Sequence, residues 1–417
     1  MASRYRTLER ARLAKLLPEL LLAGQLIDRS AMAWCISAFG RDEMAAIAIE
    51  EWMAASPIYT RRMQRALGYE GDDVITIFKG LQLDIGAPPQ FMDFRYTVHD
   101  RRHGEFHLDH CGALMDVEPL GEAYVRAMCH DIEDPTFDAT AVATNPRAQV
   151  RPIHRPPRTP PDRQPHCAWT VVIDDSHPPV SESTGCTRLR RSKAATLDLE
   201  PIDRGDDGMA DYSGPLLADL DFGTFSRSAL ARMADEVCVQ MHLLHLGFRD
   251  AVRDRVDAEQ SRKLCTKQLV GIAGIAAERI HAGLGLPCGI EGALRTLELH
   301  PLLNPAAYVD AELSGDAVRV RHSPAHADGS WITLCGPGDV AALQAIVRAV
   351  DPHLDVRVEG DATDWSARVF RRDEPAKEFD EVAVTRVSTG AAFVFQPRRS
   401  LPITPVTSTT RTGGQRP

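Results

Sequence analysis

Long hydrophobic runs are missing from this chain of 417 residues. No stretch reaches the roughly eighteen apolar residues that a membrane span needs, and the short run at residues 16–22 is interrupted by Pro18 and Glu19. No small-residue cleavage site follows this run, which argues against a signal peptide. We therefore expect a cytoplasmic protein that does not enter a membrane.

The chain also lacks an excess of positive charge. The formal net charge of −10 and the pI near 5.8 argue against nucleic acid as the main partner. The nine cysteines include no Cys-x-x-Cys pair, and the sequence has no phosphate-binding Gly loop, no Gly-x-Ser-x-Gly elbow and no dinucleotide-binding fingerprint. Without a secretory signal, the cysteines are expected to be reduced thiols. Any metal site must be assembled from distant segments.

The chain does contain a concentration of soft, titratable side chains between His99 and Cys167. Thiolates, imidazoles and carboxylates bind transition metals or act as nucleophile and base, so the concentration predicts a functional site. The side chains fall into three groups: His107-x-Asp109-His110-Cys111, Cys129-His130-Asp131-x-Glu133, and His166-Cys167.

A repeated order of elements divides the chain into two similar halves. Residues 60–69 match residues 277–286 at an offset of about 217, and a hairpin, a helix and further strands follow each segment. The hairpin strands alternate in polarity and turn at a Gly, which is typical of antiparallel pairs. The pattern predicts an α+β fold: a duplicated unit of N-terminal helices, a β-hairpin, a helix and further antiparallel strands, packed as a pseudo-dimer.

The domain boundaries follow from this repeat and from composition. The first unit carries the Cys/His groups, the second is degenerate, and a Pro/Ser/Gly-rich linker joins them. The oligomeric state is left open, with a monomer consistent with a pseudo-dimer inside one chain. The predicted ranges are 1–175 for the first unit, 176–221 for the linker, 222–375 for the second unit, and 376–417 for a C-terminal extension with a disordered tail from about residue 397.

Several individual elements are also predicted. Helices are expected at about residues 5–28, 42–65 and 227–253, and Pro57 should kink or break the second one. The first strand of the first hairpin is expected at residues 92–98. A helix that ends at Cys129 should begin near Leu120. Inside the linker, one strand is expected at residues 195–199.

The return strand of the first hairpin places candidate ligands on one face. Phe106 and Leu108 should face the core, so a period of two puts His107, Asp109 and Cys111 together on the opposite face. The second half has Arg319, Arg321 and Ser323 at the corresponding positions, which indicates that only the first half is active. The predicted metal ligands are His107, Asp109, Cys111, Cys129 and Cys167, for zinc or iron.

The first half resembles a known enzyme family over residues 20–175. Cys129 with acids just after it, the pair Asn145-Pro146, and Cys167 opening a strand with Trp169 are similar to the L-2-amino-thiazoline-4-carboxylic acid hydrolase family. The resemblance implies hydrolytic opening of a small cyclic C–N or C–S substrate, with Cys129, Asn145 and Cys167 at the implied positions. The acids here, Asp131 and Glu133, are offset from the family's usual acid.

Two classes of function are compatible with these residues. The first is a hydrolase-like enzyme acting on a small polar molecule, in which Cys111 or Cys129 attacks with His107, His130 or Asp131 as base, or in which a bound zinc or iron activates water. The second is a non-catalytic protein that binds or senses a metal or another small ligand.

Overall fold

Each half of the chain begins with long helices and ends with a four-stranded antiparallel sheet in the computed structural model, which describes residues 2–406. The helices of the first half are α1 (Arg10–Phe39), α2 (Arg41–Ala66), α3 (Val74–Leu81), α4 (Gly112–Val117), α5 (Glu122–Arg126) and α6 (Glu133–Val142), and its strands are β1 (Met92–Val98), β2 (His103–Cys111), β3 (Ala148–His154) and β4 (Cys167–Ile173). The predicted α+β class is confirmed.

The second half repeats this order after two short connecting helices. The connecting helices are α7 (Thr184–Leu189) and α8 (Lys193–Thr196). The remaining elements are α9 (Arg227–Arg253), α10 (Ala258–Leu284), α11 (Ile290–Leu299), β5 (Ala311–Ser314), β6 (Ala317–Val320), α12 (Pro324–Asp328), α13 (Ala341–Val350), β7 (Leu354–Gly360), β8 (Trp365–Arg371) and α14 (Asp380–Arg386).

The two halves have matching sheet topologies, and the first long helix of each half packs against the second long helix of the other. The strand order is β1-β2-β4-β3 in one sheet and β5-β6-β8-β7 in the other. Between the halves, α1 packs against α10 and α2 packs against α9, which is the reciprocal pairing of a two-fold interface. The duplication itself stays a prediction, but this packing is the one that a pseudo-dimer has.

Two ion pairs across the interface follow the same reciprocal pattern. Arg62 on α2 contacts Glu236 on α9 at 2.9 Å, and Arg279 on α10 contacts Glu19 on α1 at 2.5 Å. Each residue of the first pair lies 217 positions from its counterpart in the second. All four side chains are largely buried, so the charges pair inside the interface rather than in water.

The predicted limits of the first two helices need correction. The first helix begins at Arg10 rather than near residue 5 and continues to Phe39, and α2 runs without a break through Pro57. Proline removes the hydrogen bond to the carbonyl four residues earlier. The Ser183 hydroxyl donates to that freed Met53 carbonyl at 3.3 Å, which explains how the helix tolerates the proline.

The helix expected to end at Cys129 is also longer than predicted. The chain continues from α5 through a π-helical segment at Ala127–Ile132 directly into α6. Pro135 does not stop it, although this residue is the third of α6 and follows the π-helical turn directly.

The linker and the tail are more ordered than their composition predicts. Residues 193–196 form a helix instead of a strand, because the Ser192 side chain accepts a bond from the Ala195 N–H and caps it. Residues 388–406, which we call the C-terminal strap, run back over the first half. Arg398 pairs with Asp93 there, so the expected disorder from residue 397 is wrong up to 406. Residues 407–417 lie outside the described residues.

Candidate functional site

Two of the predicted metal ligands, His107 and Asp109, lie on the outer face of β2. The Asp109 side chain is 54% exposed and contacts His107 at 3.4 Å and Arg95 at 3.7 Å. Phe106 and Leu108 are buried on the other face, so the predicted alternation is confirmed over this part of the strand. His107 and Asp109 therefore belong to a surface group of charges.

The alternation fails at Cys111, which the sequence places beside His107 and Asp109. The pairing of β1 with β2 shifts at a β-bulge, from Phe94 with Leu108 to Met92 with Cys111. The extra residue in β2 turns Cys111 inward, where its Sγ accepts from the Leu114 N–H at 3.3 Å and caps α4. The shared face of residues 107, 109 and 111 is therefore wrong.

The remaining predicted ligands, Cys129 and Cys167, are also core thiols. Burial raises the pKa of Cys111 to about 12 and the pKa values of Cys129 and Cys167 well above their usual range, and the nearby Glu133 carboxyl adds to each effect. Within residues 2–406, no three of the five predicted ligands bring donor atoms within 4.8 Å of one another. The structure thus gathers three thiols around Glu133 but does not join them to the outer face of β2.

The predicted partners of Cys129 point elsewhere. The Nε2 atom of His130 lies 2.7 Å from the Pro156 carbonyl, and Asp131 is exposed while Cys129 is 1% exposed. Asn145 is fixed in the turn before β3, where its amide donates to the Asp72 carbonyl and its oxygen accepts from a backbone N–H. A reactive cysteine needs a lowered pKa and a nearby base, and this geometry supplies neither.

A small cavity of about 90 Å³ lies beside these thiols, between α1, α2, β1 and α6. Three carboxyl groups line it, from Asp28, Asp84 and Glu133. Among the described residues that line it there is no Lys, Arg or His. The other lining side chains are mostly apolar or aromatic and include Trp52, Tyr59, Met92, Phe94, Met128, Ile132 and Phe137. We call this space the carboxylate cavity.

The π-helical segment before α6 sets one wall of the carboxylate cavity. Its wider turn places Met128 and Ile132 on the lining and is followed at once by Glu133. Single π-helical turns within α-helices are frequent at functional sites. Nothing in the sequence predicts this turn, because His130 and Asp131 are typical of the end of a helix.

Two carboxyl groups meet at the α1–α2 contact behind the cavity. Trp52 donates its indole N–H to Asp28 Oδ2 at 2.7 Å, while Asp28 Oδ1 and Glu51 Oε2 are both buried without a hydrogen-bond partner. Burial, and then the neighbouring Asp28, raise the pKa of Glu51 well above its usual range. The raised pKa keeps Glu51 in its neutral, protonated form.

The other two carboxyl groups have pKa values on either side of neutrality. Asp84 accepts bonds at Oδ1 from the Tyr59 hydroxyl at 2.8 Å and the Gly86 N–H at 2.7 Å, and burial raises its pKa to about 6. Burial raises the pKa of Glu133 to about 8, although Arg155 opposes the shift. At pH 7 the first carboxyl is therefore largely ionised and the second is largely protonated.

The corresponding positions in the second half hold neutral groups. His245 and Gln268, which lie 217 residues after Asp28 and Glu51, hydrogen-bond to each other at 2.8 Å. His300 takes the place of Asp84 and accepts from the Leu302 N–H, as Asp84 does from Gly86. Burial lowers the pKa of both histidines to about 3.

An aromatic ring packs against this second set of polar groups. The Trp331 ring lies 5.0 Å from the His242 ring and 5.4 Å from the His245 ring. Their counterparts in the first half, Gln25 and Asp28, line the carboxylate cavity. Asp28, Glu51 and Asp84 therefore have neutral counterparts in the second half.

A larger groove of about 1020 Å³ adjoins the carboxylate cavity. Ala87, Met92 and Phe94 line both spaces. The C-terminal strap forms one wall of the groove through residues 391–398, held by Arg279 bonds to the carbonyls of Gly390, Ala391 and Phe393. The groove and the carboxylate cavity therefore share one wall.

Comparisons with known protein families, with curated proteins and with solved structures find no match. The resemblance to the thiazoline-carboxylate hydrolases therefore stays a prediction. Within residues 2–406, no helix is both long and apolar enough to cross a membrane.

Proposed function

We propose that the first half is a hydrolase-like enzyme that opens a small cyclic C–N or C–S compound bound as a cation in the carboxylate cavity. The observation that carries the proposal is the lining itself, with three carboxyl groups and no basic side chain among its described residues. A buried set of acids is most stable when a positive charge balances it. Cyclic amidines and thiazolines carry such a charge when protonated.

Recognition of the cation rests on Asp28 and the aromatic walls. The Trp52 indole holds one Asp28 oxygen, which leaves the other oxygen free of hydrogen bonds. The rings of Trp52, Phe94 and Phe137 also line the cavity, and aromatic faces attract cations within about 6 Å. The volume of about 90 Å³ restricts the ligand to a small molecule.

Proton transfer is assigned from the two separated pKa values. Environments that push the pKa values of two carboxyl groups apart identify the base and the acid. Asp84, with a pKa of about 6, takes a proton from the attacking water, and Glu133, with a pKa of about 8, gives one to the leaving nitrogen or sulfur. Water adds to the ring carbon, and the ring C–N or C–S bond breaks.

Asp28→Asn tests recognition directly. The variant should bind a cyclic amidinium at least about 100-fold more weakly, because it loses the charge that balances the cation, while binding of the neutral lactam of the same shape should change little. Calorimetry gives both affinities, and product release gives turnover. Asp131→Asn is the matched control, since Asp131 is an exposed acid on the π-helical segment. Equal amidinium affinity in Asp28→Asn and the wild type would exclude this role.

The alternative is a non-catalytic protein that binds or senses a small ligand. The burial of Asp28, Asp84 and Glu133 favours it, because an enclosed site suits retention as well as reaction. Saturable amidinium binding without product release, across a panel of cyclic amidines and thiazolines, would support this alternative over the enzyme.

Cys129→Ala should leave turnover nearly unchanged. The raised pKa keeps Cys129 a neutral thiol with no base beside it, so its removal deletes a packing group and not a nucleophile. We expect a loss of about 1 kcal/mol in the free energy of unfolding. Denaturant melts and initial rates check this, and abolished turnover in a folded variant would restore the cysteine mechanism.

A further inference from the structure

The hairpin between β1 and β2 carries a second group of side chains that could bind a metal ion. None of them lines the carboxylate cavity. His99, His103 and Glu105 place one potential ligand atom each so that all three atoms lie within 4.8 Å of one another. The two imidazole rings lie side by side with their centres 4.5 Å apart. All three residues are partly exposed.

The separation of His99 and Glu105 fits two ligands of one metal ion. His99 Nε2 lies 3.2 Å from Glu105 Oε1, yet this nitrogen is buried and has no hydrogen-bond partner. Tetrahedral ligands at about 2.0–2.1 Å from zinc lie about 3.3 Å from each other. The His99–Glu105 separation is therefore close to the one that shared coordination requires.

The backbone holds the group in place before any ion arrives. The N–H groups of His99 and Asp100 both donate to the His103 carbonyl, at 3.0 and 3.1 Å. The turn is tied to the rest of the half by the Val74 N–H, which donates to the Arg101 carbonyl, and by the Ile173 N–H, which donates to the Arg102 carbonyl. Binding therefore costs little ordering of the main chain.

The neighbouring positive charges are already paired. Arg101 contacts Asp73 at 3.0 Å and Arg102 contacts Asp175 at 2.6 Å. Their guanidinium groups are thus neutralised beside the hairpin and oppose a bound cation less than free ones would.

We propose that His99, His103 and Glu105 form a zinc site at the tip of the β1–β2 hairpin. Two imidazole nitrogens and a carboxylate oxygen are a common zinc ligand set with three protein ligands, and the fourth position is then open to water. The site uses none of the ligands that the sequence predicts at residues 107–167, and it is independent of the function proposed for the carboxylate cavity.

The test is a zinc titration of the full chain, purified without an affinity tag and treated with a chelator. A competing chelating dye should report one zinc per chain in the wild type. His103→Ala and Glu105→Gln should each weaken binding at least about 100-fold. His107→Ala is the matched control, because His107 is a partly exposed histidine of the same strand that the group does not include, and it should bind as the wild type does.

Cobalt provides a second readout that does not depend on affinity alone. Co²⁺ in place of zinc should give the visible absorption of a tetrahedral centre in the wild type and in His107→Ala, and this absorption should vanish in His103→Ala. Melting curves of the metal-free variants should match the wild type, because the three side chains lie at a hairpin tip. No saturable zinc binding, or unchanged binding in both His103→Ala and Glu105→Gln, would overturn the proposal.

Discussion

Glu133→Gln is expected to lower kcat on a cyclic amidinium by about 100- to 10,000-fold, the usual contribution of a positioned proton donor. Glutamine keeps the shape of the side chain but cannot give a proton to the leaving group. Substrate binding should be affected far less, since Asp28 supplies the balancing charge. Steady-state rates separate kcat from KM, and Asp131→Asn, an exposed acid two residues earlier, should retain the wild-type kcat.

The pH dependence of the wild type adds a second readout to the same experiment. The rate should fall below about pH 6 as Asp84 becomes protonated, and above about pH 8 as Glu133 loses its proton, which gives a bell-shaped profile. Glu133→Gln should lose the alkaline limb, and Asp84→Asn should lose the acidic limb. A flat profile between pH 5 and 9, or an alkaline limb that persists in Glu133→Gln, would contradict the assignment.

Folding stability provides the control for these variants. The pKa of Glu133 is about 8 in the fold against 4.5 for an exposed group, so the unfolded chain releases this proton first as the pH rises. The stabilisation is complete below about pH 4.5 and is lost as the pH rises through 8, by up to about 5 kcal/mol at about 1.4 kcal/mol per pH unit. Glu133→Gln should therefore lose less stability than the wild type between pH 5 and pH 9.

Patterns local to one element were the part of the fold that the sequence could predict. The α9 bounds, the β1 bounds and the alternation of Phe106 and Leu108 follow from periodicity, and all three agree with the structure. The errors lie where a distant group decides the outcome. Ser183 donates to the Met53 carbonyl that Pro57 frees, and Asp93 pairs with Arg398 of the strap. In both contacts the two residues lie far apart in the sequence.

The candidate site was harder to predict, for a physical reason. Counting soft ligands favoured Cys129 and Cys167, but a cysteine is among the residue types most often buried as ordinary core, and these two are. Asp28 and Glu51 did leave a signal, since each is an acid within a helix face that is mostly apolar and buried. Their contact with each other depends on the packing of α1 on α2, which periodicity does not specify.

The ion pairs between the halves show what that packing requires. Arg62 donates to both oxygens of Glu236, at 2.9 and 3.1 Å, and Arg232 reaches the same carboxylate. Arg62 also donates to the carbonyls of Ala195 and Leu197 in the linker. The buried Arg62 guanidinium of α2 therefore binds both α9 and the segment that connects the two halves.

Glu236→Gln is expected to lower the free energy of unfolding by about 3–5 kcal/mol, because it leaves the buried Arg62 without its counter-charge. The double variant Arg62→Met with Glu236→Met removes the buried pair and should recover part of this loss, since replacing a buried ion pair with apolar groups is often close to neutral. The recovery is only partial because Arg232 also loses its contact with Glu236. Denaturant titration of the wild type, Arg62→Met, Glu236→Met and the double variant gives the coupling energy between the two positions.

Asp364→Asn is the matched control for that experiment. Asp364 pairs with Arg319 at 3.0 Å, but both side chains are about half exposed, and exposed pairs contribute about 0–1 kcal/mol. A loss below about 1 kcal/mol in Glu236→Gln would mean that water reaches the contact between α2 and α9. The two halves would then be joined mainly by apolar packing of the long helices, and the reciprocal ion pairs would mark the pseudo-symmetry without stabilising it.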